Sequence, residues 1–411
     1  MSLIVQKFGG TSLATANKIH RAARRAIRAK LAGYRVVLVV SAMGKTTDKL
    51  VGLAREVCSD PPKRELDMLL TTGEQVSIAL MAMAIDAAGH EAISLTGSQL
   101  GLVTDSAHTR ARIQRISRDR IERELTAEKI VIVAGFQGTD ATGEITTLGR
   151  GASDTTAAAL AAVLGGEICE VYTDVDGVYT ADPRLVPEAR KIDRISCDTM
   201  LEMAGAGARV MHSRAIEFGS KFSVPIHVRS SLTDTQGTMI MAETPGMEAI
   251  AVRGVTLKED LAVVEMNGVP NTPGLAARIF AEVAKNRILV DDIVQVIYEG
   301  GRFANIGFST NASSAKEARA VCERLARELR FGCVEIDEGV SKVSAVGLGM
   351  RTHTGIAATM FEALAAAKIN IDNISTSEIV ISCIVPREDG PRALRCLHEA
   401  FGLDKDNGGE A

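Results

Sequence analysis

Two stretches of this 411-residue chain repeat at one offset. Gly274-Leu275-Ala276-Ala277-Arg278-Ile279-Phe280 answers to Gly355-Ile356-Ala357-Ala358-Thr359-Met360-Phe361, and Ile288-Leu289-Val290-Asp291-Asp292-Ile293 to Ile369-Asn370-Ile371-Asp372-Asn373-Ile374. A period of roughly 80 residues is too long for a stacked array and marks two copies of one small domain. Each copy reads strand, glycine-bearing loop, amphipathic helix, strand, strand, helix. The first uses residues 261–266, 274–286, 288–297, 302–309 and 315–329, and closes with a strand near 333–336. The second begins at Lys342, and after its last helix, 391–401, only a polar tail follows, so its fourth strand is missing. A spare strand at 249–255 is expected to fill that place, with the first copy inserted in the second.

Upstream of the repeat, strands alternate with helices. Residues 36–40 are a continuous β-branched and leucine run, typical of a parallel strand covered on both faces. Further buried strands are expected at 92–95, 130–136 and 169–172, with helices at 17–31, around 113–125 and at 156–164. The stretch 65–88 is helical by pattern, interrupted by Thr71-Thr72-Gly73-Glu74. Such alternation implies a parallel sheet in layers, and in open sheets of this kind ligands bind at the carboxyl ends of the strands.

Four polar stretches stand out. Lys7-Phe8-Gly9-Gly10-Thr11-Ser12 follows the first strand. Paired glycines let the backbone approach a bulky anion, and Lys7 adds a compact positive charge. The same residues also suit a tight turn with a surface lysine. Glu74 heads an apolar helix, where a carboxylate either meets a ligand or answers the helix dipole. Leu148-Gly149-Arg150-Gly151-Ala152-Ser153-Asp154 combines a flexible turn with a guanidinium able to fork onto a carboxylate and an acid able to cap a helix or orient a cation. The stretch from Thr173 to Arg184 carries acids, Tyr179 and Arg184 on a loop suited to a nucleotide's base, ribose and accompanying metal, or to plain solvation. Gly44-Lys45-Thr46 imitates the end of a Walker A motif, but Val39 stands where its first glycine is required, so the P-loop reading fails.

Composition removes other classes. A formal net charge of −4, from 47 basic and 51 acidic residues, offers no field for a polyanion, and 3% aromatics without tryptophan offers no stacking platform, so nucleic acid is not expected as a partner. No apolar run approaches the roughly 20 residues of a membrane span and no signal peptide is evident, so no membrane association is expected. The seven scattered cysteines lack any Cys-x-x-Cys pair, which reads as reduced thiols in a cytoplasmic protein, and no Cys/His cluster suggests a protein-held metal.

Taken together, Lys7 to Ser12, Thr71 to Glu74, Leu148 to Asp154 and Thr173-Asp174-Val175-Asp176-Gly177-Val178-Tyr179-Thr180-Ala181-Asp182-Pro183-Arg184 closely resemble aspartate kinase, over essentially the whole chain. The resemblance implies a three-layer αβα amino-acid-kinase fold with a mostly parallel open sheet, over residues 1–245. Two ferredoxin-like βαββαβ ACT domains would follow, the first at 261–338 and the second at 246–260 plus 339–411. It implies transfer of the γ-phosphoryl group of ATP to L-aspartate, with Mg²⁺ held largely by the phosphates, as the first step toward lysine, threonine and methionine. By this resemblance Lys7 and Asp154 would be catalytic, with Gly9 and Gly10 giving backbone contacts to the nucleotide. Ser41, Thr173, Asp174, Tyr179, Asp182, Arg184 and Arg209 would line the ATP side. Thr47, Glu74, Arg150, Gly151, Ala152, Ser153 and Asp154 would bind aspartate, Arg150 clamping its α-carboxylate.

The chain departs from the family pattern in places. Ala152 replaces a second glycine, Arg209 a lysine, Asn271 an aspartate and Thr354 a proline. The ACT pair implies inhibition by lysine and/or threonine at Gly274, Ala276, Asp291 and Gln295 of the first copy and Asn370, Asn373, Thr376 and Glu378 of the second. Pairing of ACT domains across subunits implies a homodimer or tetramer. A glutamate-type kinase would lack the ACT pair, and a non-catalytic amino-acid sensor would have lost Lys7 or Asp154.

Overall fold

In the strand Arg35–Val40, every residue from Val36 onward is buried, because strands flank it on both sides and helices cover both its faces. A computed structural model of the protein describes residues 1–149, 151–208, 210–242, 251–351 and 353–405. The chain forms two units, one of Met1–Tyr179, Lys191–Gly205 and Arg209–Pro245, the other of Thr180–Arg190, Ala206–Ala208 and Gly246–Ala411.

The first unit is built on an eight-stranded sheet in the order Arg194–Ser196, Thr238–Met241, Ile226–Ser230, Ile168–Thr173, Leu3–Phe8, Arg35–Val40, Ile130–Ala134, Ala92–Leu95. The last six are mutually parallel, and the first two run against them. Alternation along the strands divides the apolar residues between two layers. Ile4, Phe8, Val36, Leu38, Val40, Ile130 and Ile132 pack with the helices Ala16–Leu31 and Lys63–Asp86. The helix Ser153–Leu164 covers the opposite face over Leu3–Phe8, Arg35–Val40 and Ile168–Thr173. Its Ala157, Ala158, Leu160 and Ala161 are all solvent-inaccessible, and small side chains let it lie close to the strands. The result is the expected three-layer αβα arrangement with a mostly parallel sheet.

Two local expectations change. Lys63–Asp86 is one continuous helix, so Glu74 lies in its middle rather than at a start. The Thr71 and Thr72 hydroxyls turn back onto the carbonyls of Met68 and Leu69 at 3.0 and 2.7 Å, which satisfies their polarity without breaking the helix. Among the described residues it is the one helix long and apolar enough to cross a membrane, and half of its most apolar window is buried in the unit. The stretch expected as a helix at 113–125 divides into a strand, Ile113–Ile116, and a helix, Asp119–Thr126. The strand belongs to a second sheet with Leu102–Thr104, Gln137–Thr139 and Ile145–Thr147.

The second unit holds two antiparallel four-stranded sheets. One runs Ile293–Tyr298, Phe303–Thr310, Ala262–Pro270, Val334–Asp337, with helices Leu275–Lys285 and Ala315–Leu329. The other runs Gly254–Lys258, Val340–Val346, Val380–Pro386, Asn373–Thr376, with helices Ile356–Ala366 and Gly390–Ala400. Each copy buries its own apolar core. The repeated glycines have a shared cause, since Gly274 and Gly355 precede equivalent helices at φ of 88° and 100°, a region where a Cβ is strained. The strand beside Val340–Val346 is Gly254–Lys258, later than expected, and residues 249 and 250 of that expectation lie outside the described residues, as does the boundary at 245. Lys342 of the second sheet reaches Asp291 and Asp292 of the first copy at 2.7 and 3.1 Å, and Lys258 reaches Asp291 at 2.9 Å.

Candidate active site

Strand alternation places Lys7 on the face covered by the helix Ser153–Leu164, opposite Phe8 and its stacking partner Tyr172. Its ammonium meets the Asp154 carboxylate in the first turn of that helix, Nζ to Oδ1 2.5 Å, with both side chains about nine-tenths buried. Such a pair is fixed in place, because parting it would leave a charge with little water. The glycine turn follows. The Gly9 N–H donates to the Tyr172 carbonyl at 3.2 Å, and Gly10 lies so close to the next loop that a Cβ would stand 2.7 Å from the Ala42 carbonyl oxygen. Ser12 is buried with its hydroxyl unpartnered among the described residues.

That neighbouring loop leads to Glu74. The Ala42 N–H donates to Glu74 Oε1 at 3.0 Å, while Oε2 is buried without a hydrogen-bond partner among the described residues. Burial pushes this carboxyl up from 4.5 to about 7, against the downward pull of the Ala42 N–H. A half-neutral acid with a free oxygen is prepared for a cationic partner. Gly73 permits the close approach, since a Cβ there would lie 2.8 Å from that of Ala42. Helix propensity alone favours Gly73→Ala by about 1 kcal/mol, whereas overpacking costs about 1–3 kcal/mol. The expected result is a net loss of about 1 kcal/mol, read as a lower Tm. A Tm at or above the wild type would show that Ala42 yields freely.

On the far side, the turn before Asp154 carries Gly149 and Gly151 at φ of 95° and 75°. Ala152 has φ −76°, so the position needs no glycine and its methyl is accommodated without strain. Ser153 Oγ lies 2.8 Å from Ser41 Oγ, which brings a residue expected on the aspartate side against one expected on the ATP side. Thr47 is half-buried in the first turn of the helix Thr46–Val57. Arg150 and Arg209 lie outside the described residues.

The expected nucleotide loop divides. In the first unit, Thr173 ends a central strand and its hydroxyl bonds Asp174 at 3.1 Å, while Tyr179 donates to Asp176 at 2.6 Å. Burial, with Asp176 beside it, pushes the Tyr179 hydroxyl up to about 12. Asp182 and Arg184 instead belong to the second unit, where they pair with each other at 2.6 Å. Their segment is held there by Val255 N–H donating to the Thr180 carbonyl at 2.7 Å and by Thr180 Oγ1 beside His398 Nε2 at 2.9 Å.

Several supporting residues escaped the sequence reading. Asp67, fully buried on the helix Lys63–Asp86, accepts from the Thr109 N–H at 2.9 Å and the Thr147 hydroxyl at 2.5 Å, and meets His108 Nδ1 at 2.9 Å. A carboxylate on the apolar face of a helix was its available signal. Phe136 adopts φ 71° and packs with Leu70, Leu148 and Ala152 under the glycine turn. Among the described residues no three His, Cys, Asp or Glu side chains converge as a metal site.

In the second unit Asp291 is already engaged by Lys258 and Lys342. Burial alone would raise its carboxyl, but the hydrogen bonds and charge of the two lysines hold it below the usual range. A groove of about 460 Å³ opens between the two sheets, lined by Glu265, Asp292, Asn305, Asp372 and Asn373 among others. Of the eight expected effector residues only Asn373 lines it; Gln295, Asn370, Thr376 and Glu378 are exposed elsewhere, and Gly274 and Ala276 begin the helix Leu275–Lys285. Asn271 donates to the Gly301 carbonyl at 2.8 Å.

Comparison with known proteins agrees with this architecture. The amino acid kinase family matches residues 2–230 and the ACT domain matches residues 343–401. The aspartokinase of Bacillus sp. (strain MGA3) is 48% identical over 403 residues, covering 98% of each chain. That of Mycolicibacterium smegmatis is 47% identical over 412 residues, covering 99% of this chain and 98% of the other. The structure of E. coli aspartokinase III in complex with aspartate and ADP (R-state) has a TM-score of 0.85 at 25% identity, covering 97% of this chain and 99% of that one. The same enzyme in complex with lysine and aspartate (T-state) gives a TM-score of 0.73 over the same shares.

Proposed function

The chain belongs to the aspartokinase family, and from that premise we propose that its first unit transfers the γ-phosphoryl group of ATP to the side-chain carboxylate of L-aspartate, giving 4-phospho-L-aspartate. The observation that carries the reading is the buried Lys7–Asp154 pair beside the glycine turn. Phosphoryl transfer asks a protein for positioning and for positive charge where the transferring oxygens gather negative charge. Lys7 supplies that charge, and Asp154 holds it in place. The Gly9-Gly10 turn lets the phosphates approach the backbone, and Thr173, Asp174 and Tyr179 serve the rest of the nucleotide. On the acceptor side Arg150 clamps the α-carboxylate of aspartate. Its ammonium, the one cation on that substrate, goes to Glu74, whose free oxygen supports the assignment. Thr47 and the turn Gly151 to Ser153 complete that side. Mg²⁺ would be held largely by the phosphates, as expected for a cation that keeps most of its waters, and would supply neutralising charge there.

The enzyme is regulated by amino acids through its ACT region, and in this reading the effectors are lysine and/or threonine. The region divides into one copy at 261–338 and a second at 246–260 plus 339–411, supported by the pairing of Gly254–Lys258 with Val340–Val346. ACT pairing across subunits gives a homodimer or tetramer, in the cytoplasm. An effector inhibits only through the difference of its affinities for active and inactive arrangements.

The test is acyl-phosphate formation trapped with hydroxylamine, with L-aspartate or L-glutamate as acceptor, with lysine, threonine, both or neither. Product from aspartate alone, suppressed by the amino acids, is the expected result. Product indifferent to both would leave the kinase and remove these effectors. Absence of product from aspartate would overturn the kinase reading.

A further inference from the structure

The segment His212 to Arg214 touches the glycine turn on both sides of position 150. The Arg214 guanidinium donates through Nη1 to the Leu148 carbonyl at 2.9 Å and through Nη2 to the Ala111 carbonyl at 3.3 Å. Both acceptor residues are almost fully buried, and Ala111 is itself tied to the turn by its N–H on the Thr147 carbonyl at 2.9 Å. Beyond position 150, the His212 ring lies against Gly151, where a Cβ would stand 3.1 Å from Cδ2. The His212 N–H donates to Asp154 Oδ2 at 3.3 Å, and its Nδ1 accepts from the Arg214 N–H at 3.3 Å. That acceptor role requires the neutral imidazole protonated on Nε2. Burial lowers the His212 imidazole below its ordinary value, which keeps it in that form. Arg112, Glu217 and Asp105 are the charged groups that act on Arg214, the first against its charge and the other two in favour of it.

We propose that Arg214 is a positioning residue for aspartate: its planar fork fixes the main chain at Leu148, while His212 fixes it at Gly151 and Asp154, so that the substrate turn is held from both sides of position 150. The inference rests on the reading of Leu148 to Asp154 as the substrate turn. A fork that bridges two carbonyls from separate parts of the chain sets a distance between them, which a single point charge does not. Misplacement of a substrate-positioning group by about 1 Å is enough to cost about 10²-fold in rate. The two carbonyls that the Arg214 fork holds belong to Leu148 and Ala111, neither of which is expected on the nucleotide side.

The full-length enzyme is assayed as Arg214→Met, which removes the donors, and as Arg214→Lys, which keeps the charge and can serve one carbonyl. KM for aspartate is measured at saturating ATP, KM for ATP at saturating aspartate, and Tm for each variant. Arg214→Met is expected to raise KM for aspartate about 10- to 100-fold and to leave KM for ATP within about 2-fold. Arg214→Lys is expected to fall between it and wild type, and it carries the test if the methionine variant does not fold. A lowered Tm with both KM values unchanged, or both KM values raised alike, would overturn the proposal. Arg150→Ala separates the two layers of argument. If it raises KM for aspartate and the Arg214 variants do not, the positioning role fails alone; if it does not raise it, the substrate turn itself is misassigned.

Discussion

Lys7→Ala is expected to lower kcat by about 10³-fold or more, the loss found when a charge aimed at a phosphoryl or oxyanion transition state is removed. It also strands the Asp154 carboxylate, which is 6% exposed, and breaking a buried ion pair in this way costs about 3–5 kcal/mol. The two losses must be told apart. Asp154→Asn added to Lys7→Ala removes the stranded charge, so the double variant is expected to recover much of the lost Tm while recovering none of the activity. If activity returns together with stability, Lys7 serves the fold and not the reaction. Replacing both members of a buried pair is often neutral for stability, which makes the double variant the sharper of the two.

The second large effect concerns Glu74 and pH. Its folded carboxyl titrates at about 7 instead of 4.5, because burial opposes the charge. A pKa raised on folding contributes stability that is complete below the unfolded value and is lost as pH rises through the folded one. The ligand-free enzyme is therefore expected to lose about 3 kcal/mol between roughly pH 4.5 and 7 on account of this group, and Glu74→Gln to lose much less across the same window. Aspartate reverses the sign. Its ammonium favours the charged carboxylate, so kcat/KM for aspartate is expected to rise with pH to a plateau above about 7. Glu74→Gln should flatten that limb and raise KM for aspartate about 10- to 100-fold, as befits the loss of a charge-assisted hydrogen bond. A limb that survives the substitution would belong to another group.

These residues also show what a sequence can and cannot display. Lys7, Gly9, Gly10 and Asp154 are readable as candidates because each stands at a strand end or opens a helix within a short motif, and the fold brings Lys7 and Asp154 together. Glu74 stands out in the sequence while its setting does not: Thr-Thr-Gly has low helix propensity, yet packing of Gly73 on Ala42 carries the helix straight through. The run at 113–125 has helical spacing, but pairing of Ile113–Ile116 with Leu102–Thr104 outweighs it. Arg214 acts on carbonyls 66 and 103 residues away, and carbonyls have no sequence signature at all. Asp291 illustrates the converse, since its lysine partners, 33 and 51 residues distant, are invisible until the chain folds.

The Lys342 bridge between the two ACT copies limits how a regulatory signal can move. The ammonium is 6% exposed and holds two carboxylates of the other copy. Drawing the copies apart would break both ion pairs at once, whereas a movement that carries the copies together keeps both. A rearrangement of this region that preserves the bridge therefore moves the two copies as one piece.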